Sequence, residues 1–248
     1  MPFENVGDDE DAGAVTVIYS SSKKLSGKGS QSWTQASGGI SGTTEYRDFF
    51  GGALAAGNFT GHNRDDLAIG SVGEKFTGRT DVGSVHVLLG SSSGLTATGS
   101  QTWSLPAVGA PAGTTDYFGQ YLLAADFGHN PAGSKHGDLL IGTFSSENDN
   151  PPSPDYLLYG QANGVGSPEA VDETSGAAAD FDKDGYADLA VSAGPDLDSA
   201  PGDPATYIYD GSAAGLDETG PQVLTVGNYD LPSGDWVASG ALSAAGSP

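Results

Sequence analysis

The chain has 248 residues and a net charge of −23, from 32 acidic against 9 basic side chains, with no cysteine. That composition excludes disulfides, thiol catalysis and cysteine-bound zinc, and it would repel a phosphate backbone, so nucleic acid is not an expected partner. Charged residues are only 17% of the chain and aromatics 9%, which favours a folded protein over a disordered one.

The 39 glycines and 14 prolines punctuate short apolar runs, the pattern of an all-β chain with many tight turns. In chain order, an outer strand pair is expected at about 13–33. A complete unit follows at about 50–105, with strands near 52–56, 67–71, 84–89 and 101–105. Two more units are expected at about 118–170 and 176–220, and residues 222–241 read as another inner pair. Within the second unit, alternation directs Val85, Val87 and Leu89 to one neighbour and Leu88 to the other. His86 alternates with the valines, which places it on a blade face or edge.

These units repeat. Gly83-Ser84-Val85-His86-Val87-Leu88-Leu89 follows Gly13-Ala14-Val15-Thr16-Val17-Ile18-Tyr19 at a spacing of about 70 residues. Gly29-Ser30-Gln31-Ser32-Trp33 recurs as Gly99-Ser100-Gln101-Thr102-Trp103 at the same spacing. Further copies start at Asp155-Tyr156-Leu157-Leu158-Tyr159 and Ala205-Thr206-Tyr207-Ile208-Tyr209. Trp33, Trp103 and Trp236 are read as packing residues.

The most distinctive segment is Asp180-Phe181-Asp182-Lys183-Asp184-Gly185-Tyr186-Ala187-Asp188. Oxygen-bearing side chains occupy its first, third, fifth and ninth places, and Gly185 permits a sharp bend at the sixth. Ca²⁺ takes about six to eight oxygens at roughly 2.3–2.6 Å, and alternate residues of a tight loop can supply them. Asp180, Asp182, Asp184 and Asp188 are therefore candidate ligands, with Tyr186 giving its carbonyl. An EF-hand would close at the twelfth place and lie between helices; this loop closes at the ninth and runs into Leu189-Ala190-Val191, so it joins two strands. Its relatives are weaker calcium candidates. One offers Asn58, Thr60 and Asp66, with His62 at a place poorly suited to calcium. A longer one offers Asp126, Asn130 and Asp138, and one a residue shorter offers Asn228, Asp230 and Asp235.

Phe50-Gly51 and Phe118-Gly119 precede two of these loops, and Asp66-Leu67-Ala68-Ile69-Gly70 closes one of them. This order of Phe-Gly, small apolar strand, Asp-rich loop and Asp-Leu-Ala-Ile-Gly resembles the FG-GAP repeat, and the resemblance covers almost the whole chain. That repeat builds the β-propeller of integrin α-chains and of many secreted bacterial proteins. The resemblance implies four-stranded antiparallel blades, with Ca²⁺ in the hairpin between the two inner strands. Two arrangements follow. Either residues 222–241 complete the first outer pair and close a ring of about four blades, or the chain is a segment of a larger propeller.

Function is expected to be recognition or adhesion of a protein or glycan, outside the cell or at its surface, by a monomer without membrane insertion. No apolar run reaches the roughly 20 residues of a spanning helix, and residues 1–5 lack the features of a signal peptide, which fits a chain shorn of its start. The connections between second and third strands are acidic: Asp8, Asp9, Glu10 and Asp11; Glu74 and Asp81; Glu147 and Asp149; Asp196, Asp198 and Asp203. In a propeller they gather opposite the hairpin loops, and by resemblance to integrin propellers that face is where a ligand is expected. Gly90-Ser91-Ser92-Ser93-Gly94 matches a nucleophile-elbow pattern, but the equivalent positions in later copies are Gln161-Ala162-Asn163 and Ser212-Ala213-Ala214, so it reads as a turn. No catalytic residue is expected. The rival reading is a propeller-based polysaccharide lyase or hydrolase.

Overall fold

The computed structural model describes residues 1–21, 24–76, 81–110, 116–130, 135–144, 154–171, 176–193 and 205–225. Within them the fold is all-β apart from one short 3₁₀ turn at Leu105–Val108. β1 (Val15–Ser21) and β2 (Lys24–Trp33) form a two-stranded sheet. Three four-stranded sheets follow. The first holds β3 (Phe50–Gly57), β4 (Asp66–Ser71), β5 (Ser84–Ser91) and β6 (Gly94–Trp103). The second holds β7 (Tyr121–Ala125), β8 (Asp138–Gly142), β9 (Asp155–Gln161) and β10 (Gly164–Val171). The third holds β11 (Gly176–Ala179), β12 (Asp188–Ala193), β13 (Ala205–Tyr209) and β14 (Gln222–Thr225). Every pairing between these strands is antiparallel and each four-stranded sheet is a simple meander, the arrangement of propeller blades.

One expectation is corrected here. Residues 222–241 were read as an inner pair, yet Gln222–Thr225 pairs with β13 as the outermost strand of the last sheet. The apolar run Val223-Leu224 is locally indistinguishable from an inner strand; the partner across the sheet decides its place. The remaining part of that span, from residue 226, lies outside the described residues, as does Trp236.

The core lies between successive sheets. Phe50, Ile69, Leu88 and Leu95 meet Val15 between the two-stranded sheet and the first four-stranded one. Val85, Val87, Phe118, Leu139 and Leu158 fill the next interface, and Leu140, Leu157, Leu189 and Tyr209 the one after. The alternation of Val85 and Val87 against Leu88 is thus borne out, with Leu89 partly buried beside the valines. All five residues of β8 are buried, because its sheet is covered on both faces. Trp33 and Trp103 pack against the first and second interfaces.

Two devices join neighbouring sheets. In the first, Phe50 N donates to Ala12 O at 2.9 Å, and Phe118 N to Val82 O at 2.9 Å. Gly13 and Gly83 sit against these phenylalanines so closely that a Cβ on either would lie 2.3 Å from the Phe carbonyl oxygen. The second explains the repeated Gly-Ser-Gln-x-Trp run. Gln101 Nε2 donates to Val165 O at 2.9 Å while its Oε1 accepts from Val165 N at 2.8 Å. Gln31 makes the same pair with Leu95, at 2.9 Å each way.

Candidate metal centre

Each inner hairpin ends at an aspartate that opens the second strand, and the three described copies are built alike. Asp66, Asp138 and Asp188 are all buried. One carboxylate oxygen of each accepts from the hairpin: Asp66 Oδ2 from Thr60 N at 3.0 Å, Asp138 Oδ2 from Phe127 N at 2.8 Å, Asp188 Oδ2 from Phe181 N at 2.7 Å. The other accepts from a glycine at the end of the third strand: Gly90 N at 2.7 Å, Gly160 N at 2.8 Å, Gly211 N at 3.0 Å. These glycines are required by close approach. A Cβ would lie 2.5 Å from Asp65 O at Gly90, 2.3 Å from Gly137 O at Gly160 and 2.0 Å from Ala187 O at Gly211. The ninth-place aspartate is therefore a staple between hairpin and sheet, a role that sequence reasoning did not assign to it. The recurrence of an Asp with a Gly beyond the next strand was the available signal.

The first-place residues also tie sheets together, through the backbone. Asn58 O accepts from Gly137 N at 2.8 Å, and Asp126 O from Ala187 N at 2.7 Å. Their side chains remain for other work, and here the loops diverge.

In the third hairpin, Asp180, Asp182 and Asp188 bring carboxylate oxygens within 4.8 Å of one another; Asp180 and Asp182 are exposed and Asp188 is buried. Backbone N–H groups preorganise the loop: Asp180 accepts from Lys183 N at 2.6 Å and Gly185 N at 3.2 Å, and Asp182 from Asp184 N at 2.9 Å. Gly185 takes φ +100°, as the bend requires. Asp184 stands outside the group of three and accepts from Tyr186 N at 2.8 Å. An all-oxygen donor set with one carboxylate rooted in the sheet fits a hard divalent cation.

The other two described hairpins spend their polar groups differently. Thr60 Oγ1 donates to Asp66 Oδ2 at 3.1 Å and is buried, while His62 is exposed. Asn130 Nδ2 donates to Asp126 Oδ1 at 2.6 Å, and burial pushes the Asp126 carboxyl above its ordinary value. Burial likewise pushes Asp138 up to about 7, against the pull of its Gly160 and Phe127 N–H donors. Asn58, Asp126, Lys135 and His136 share a cleft of about 270 Å³, so a lysine lines it beside Asp126. Asn228, Asp230 and Asp235 lie outside the described residues.

Residues 174–209, which include this third hairpin, match a family model. It is the FG-GAP repeat. No curated protein matches the chain. The FG-GAP match and the stacked four-stranded sheets together support a β-propeller of the integrin-like type.

At the ends opposite the hairpins, acidic connections link the two-stranded sheet and the first two four-stranded sheets. Thr44 Oγ1 donates to Asp9 Oδ2 at 2.9 Å, Arg47 Nε lies 3.8 Å from Asp11 Oδ2, and Lys75 Nζ donates to Glu45 Oε2 at 3.2 Å. Asp81 O accepts from Asp116 N and Tyr117 N. Glu147, Asp149, Asp196, Asp198 and Asp203 lie outside the described residues.

The Gly90–Gly94 segment is the turn between β5 and β6 and borders an open groove of about 570 Å³ with Lys28 and Arg64, with no histidine among its lining. His86, expected on a blade face or edge, lies on a blade face that is buried, between Ser84 Oγ at 3.1 Å and Thr102 Oγ1 at 3.2 Å and beside Phe50. Burial lowers its pKa to about 4, so the ring is neutral. The face of β5 opposite the valines is covered by the preceding sheet, which alternation alone could not reveal. A Ser–His contact there is out of reach of any substrate. No helix among the described residues is long and apolar enough to cross a membrane.

Proposed function

We propose that the chain is a calcium-stabilised, non-catalytic FG-GAP propeller module that recognises a protein or glycan outside the cell or at its surface. The carrying observation is the convergence of Asp180, Asp182 and Asp188 oxygens within 4.8 Å inside the segment that matches the repeat. Asp180 and Asp182 would hold the ion from the solvent side and Asp188 from the sheet. The ion would neutralise carboxylates that otherwise repel, and by binding only the folded state it would raise stability. Asp188 links that stability to β13 through Gly211. Recognition would use the acidic connections on the face opposite the hairpins, where long-range attraction favours a basic partner.

The test is a thermal melt with calcium and with chelator. Calcium is expected to raise the melting temperature of the wild type and not that of Asp182→Ala. An array of glycans and basic proteins, read at low and high salt, tests recognition. A melt blind to calcium sinks the metal reading, and a ligand whose binding ignores salt sinks the electrostatic one.

A further inference from the structure

We propose that Gln35, Asp48 and Glu74 form a second divalent-cation site, of calcium-like oxygen chemistry, on the acidic face at the seam between the two-stranded sheet and its neighbour. This site is independent of the hairpin loops and of the reading built on them.

The reasoning starts from acceptors without donors. Asp48 is fully buried; its Oδ2 accepts from Glu45 N at 2.5 Å and its Oδ1 has no partner. Gln35 is 2% exposed, and its Nε2 donates to Glu74 Oε2, which aims the carboxamide into the cluster; its Oε1 has no partner. Buried polar atoms are otherwise satisfied almost throughout native proteins, and buried charges are paired or bind metal. Here the neighbouring cations are committed elsewhere. Lys75 Nζ is held by Glu45 Oε2 at 3.2 Å and Tyr46 O at 3.0 Å, and Arg47 faces Asp11.

The three side chains come from two segments. Gln35 and Asp48 lie at the two ends of the crossover from β2 to β3, and Glu74 lies in the connection from β4 to β5. The segments are joined by Gly73 N, which donates to Asp48 O at 3.1 Å, and Glu74 is fixed within its own turn, its N donating to Ser71 O at 3.2 Å. Gly42 covers the Gln35–Glu74 pair, where a Cβ would lie 3.1 Å from Gln35 Nε2. Burial pushes the carboxyls of both Asp48 and Glu74 up, the Glu74 and Glu45 charges add to the effect on Asp48, and Lys75 offsets only part of it, which leaves the pair short of counter-charge. A cation would supply that charge, taking one oxygen from each of the three side chains and completing its shell with water. Calcium tolerates such irregular, partly hydrated sets better than magnesium, which demands a near-octahedral shell.

Calcium alone is the probe. Calorimetric titration at pH 8 compares the wild type, Asp180→Asn/Asp182→Asn, and that double variant with Asp48→Asn added. The double variant is expected to keep one equivalent of calcium and to lose it when Asp48→Asn is added. Gln35→Leu in place of Asp48→Asn is expected to weaken that equivalent at least tenfold, and it serves if the Asp48 variant does not fold. Calcium binding in the double variant that survives both substitutions overturns the proposal. So does a double variant that binds no calcium at all, because a proton then fills the role. If the double variant titrates just as the wild type does, the hairpin reading fails while this one stands or falls on Asp48 and Gln35.

Discussion

The hairpins that end at Asp66 and at Asp188 share a staple and differ in everything above it. In both, a buried aspartate accepts from the hairpin backbone and from a glycine after the next strand. In the first, the third-place side chain folds down onto that aspartate, Thr60 Oγ1 to Asp66 Oδ2 at 3.1 Å. In the third, the first- and third-place side chains are exposed carboxylates held near the buried one. One backbone loop can thus be closed by a neutral hydroxyl or left open as a charged cage. The ninth-place aspartate is architecture in either case, and the first and third places decide the chemistry.

The sharpest way to break this comparison is to remove the staple. Asp66→Ala and Asp188→Ala each leave backbone N–H donors without their acceptor, at about 1–3 kcal/mol per buried group. Both variants are expected to lose roughly 2–5 kcal/mol in urea unfolding, and in chelator the two losses should agree. If Asp188→Ala is harmless in chelator while Asp66→Ala is not, the shared staple is wrong.

A smaller effect separates the loops. Asp182→Ala should cost little in chelator yet lose the calcium-dependent gain, about 2.7 kcal/mol when calcium stands at a hundred times its dissociation constant. Thr60→Ala should leave the calcium response of the protein unchanged and cost on the order of 1 kcal/mol for its lost hydrogen bond. A calcium response that depends on Thr60 and not on Asp182 reverses the assignment.

A further expected effect is one of pH. Burial pushes Asp48 and Asp138 up to about 7, from an ordinary 3.8. The folded state then holds protons that the unfolded chain has released, so this contribution is fully present below about 4 and is lost as pH rises through 7. The denaturation midpoint in chelator should fall between pH 5 and pH 8, and Asp48→Asn should flatten that slope. A midpoint that rises over this range would contradict the burial of these two carboxyls.

Much of the blade was legible in the residues because its causes are local. The alternation at Val85, Val87 and Leu88 and the turn at 90–94 follow from neighbours within a few positions. The metal-type loop was legible because its donors lie within nine residues. What the sequence leaves open has a common source: the pairing partner of Gln222–Thr225, and the covering of the face that carries His86, are each settled by a segment distant in sequence. Spacing places Asp184 among the inner ligands, and its carboxylate here accepts from Tyr186 N.

By itself, the order of residues determined the repeat, the all-β class, the exclusion of thiol and disulfide chemistry, and the one loop whose first, third and ninth places are all carboxylates. These rest on covalent spacing, which folding does not alter. Only the tertiary structure decided that Asp66, Asp138 and Asp188 are staples, that Gln31 and Gln101 clamp one sheet to the next, and that Asp48 and Gln35 are buried with acceptors unmet. A carboxylate or an amide carries the same atoms everywhere in a chain. What it does depends on which donors, charges and walls the fold brings within about 3 Å of it, from segments that lie far apart in sequence.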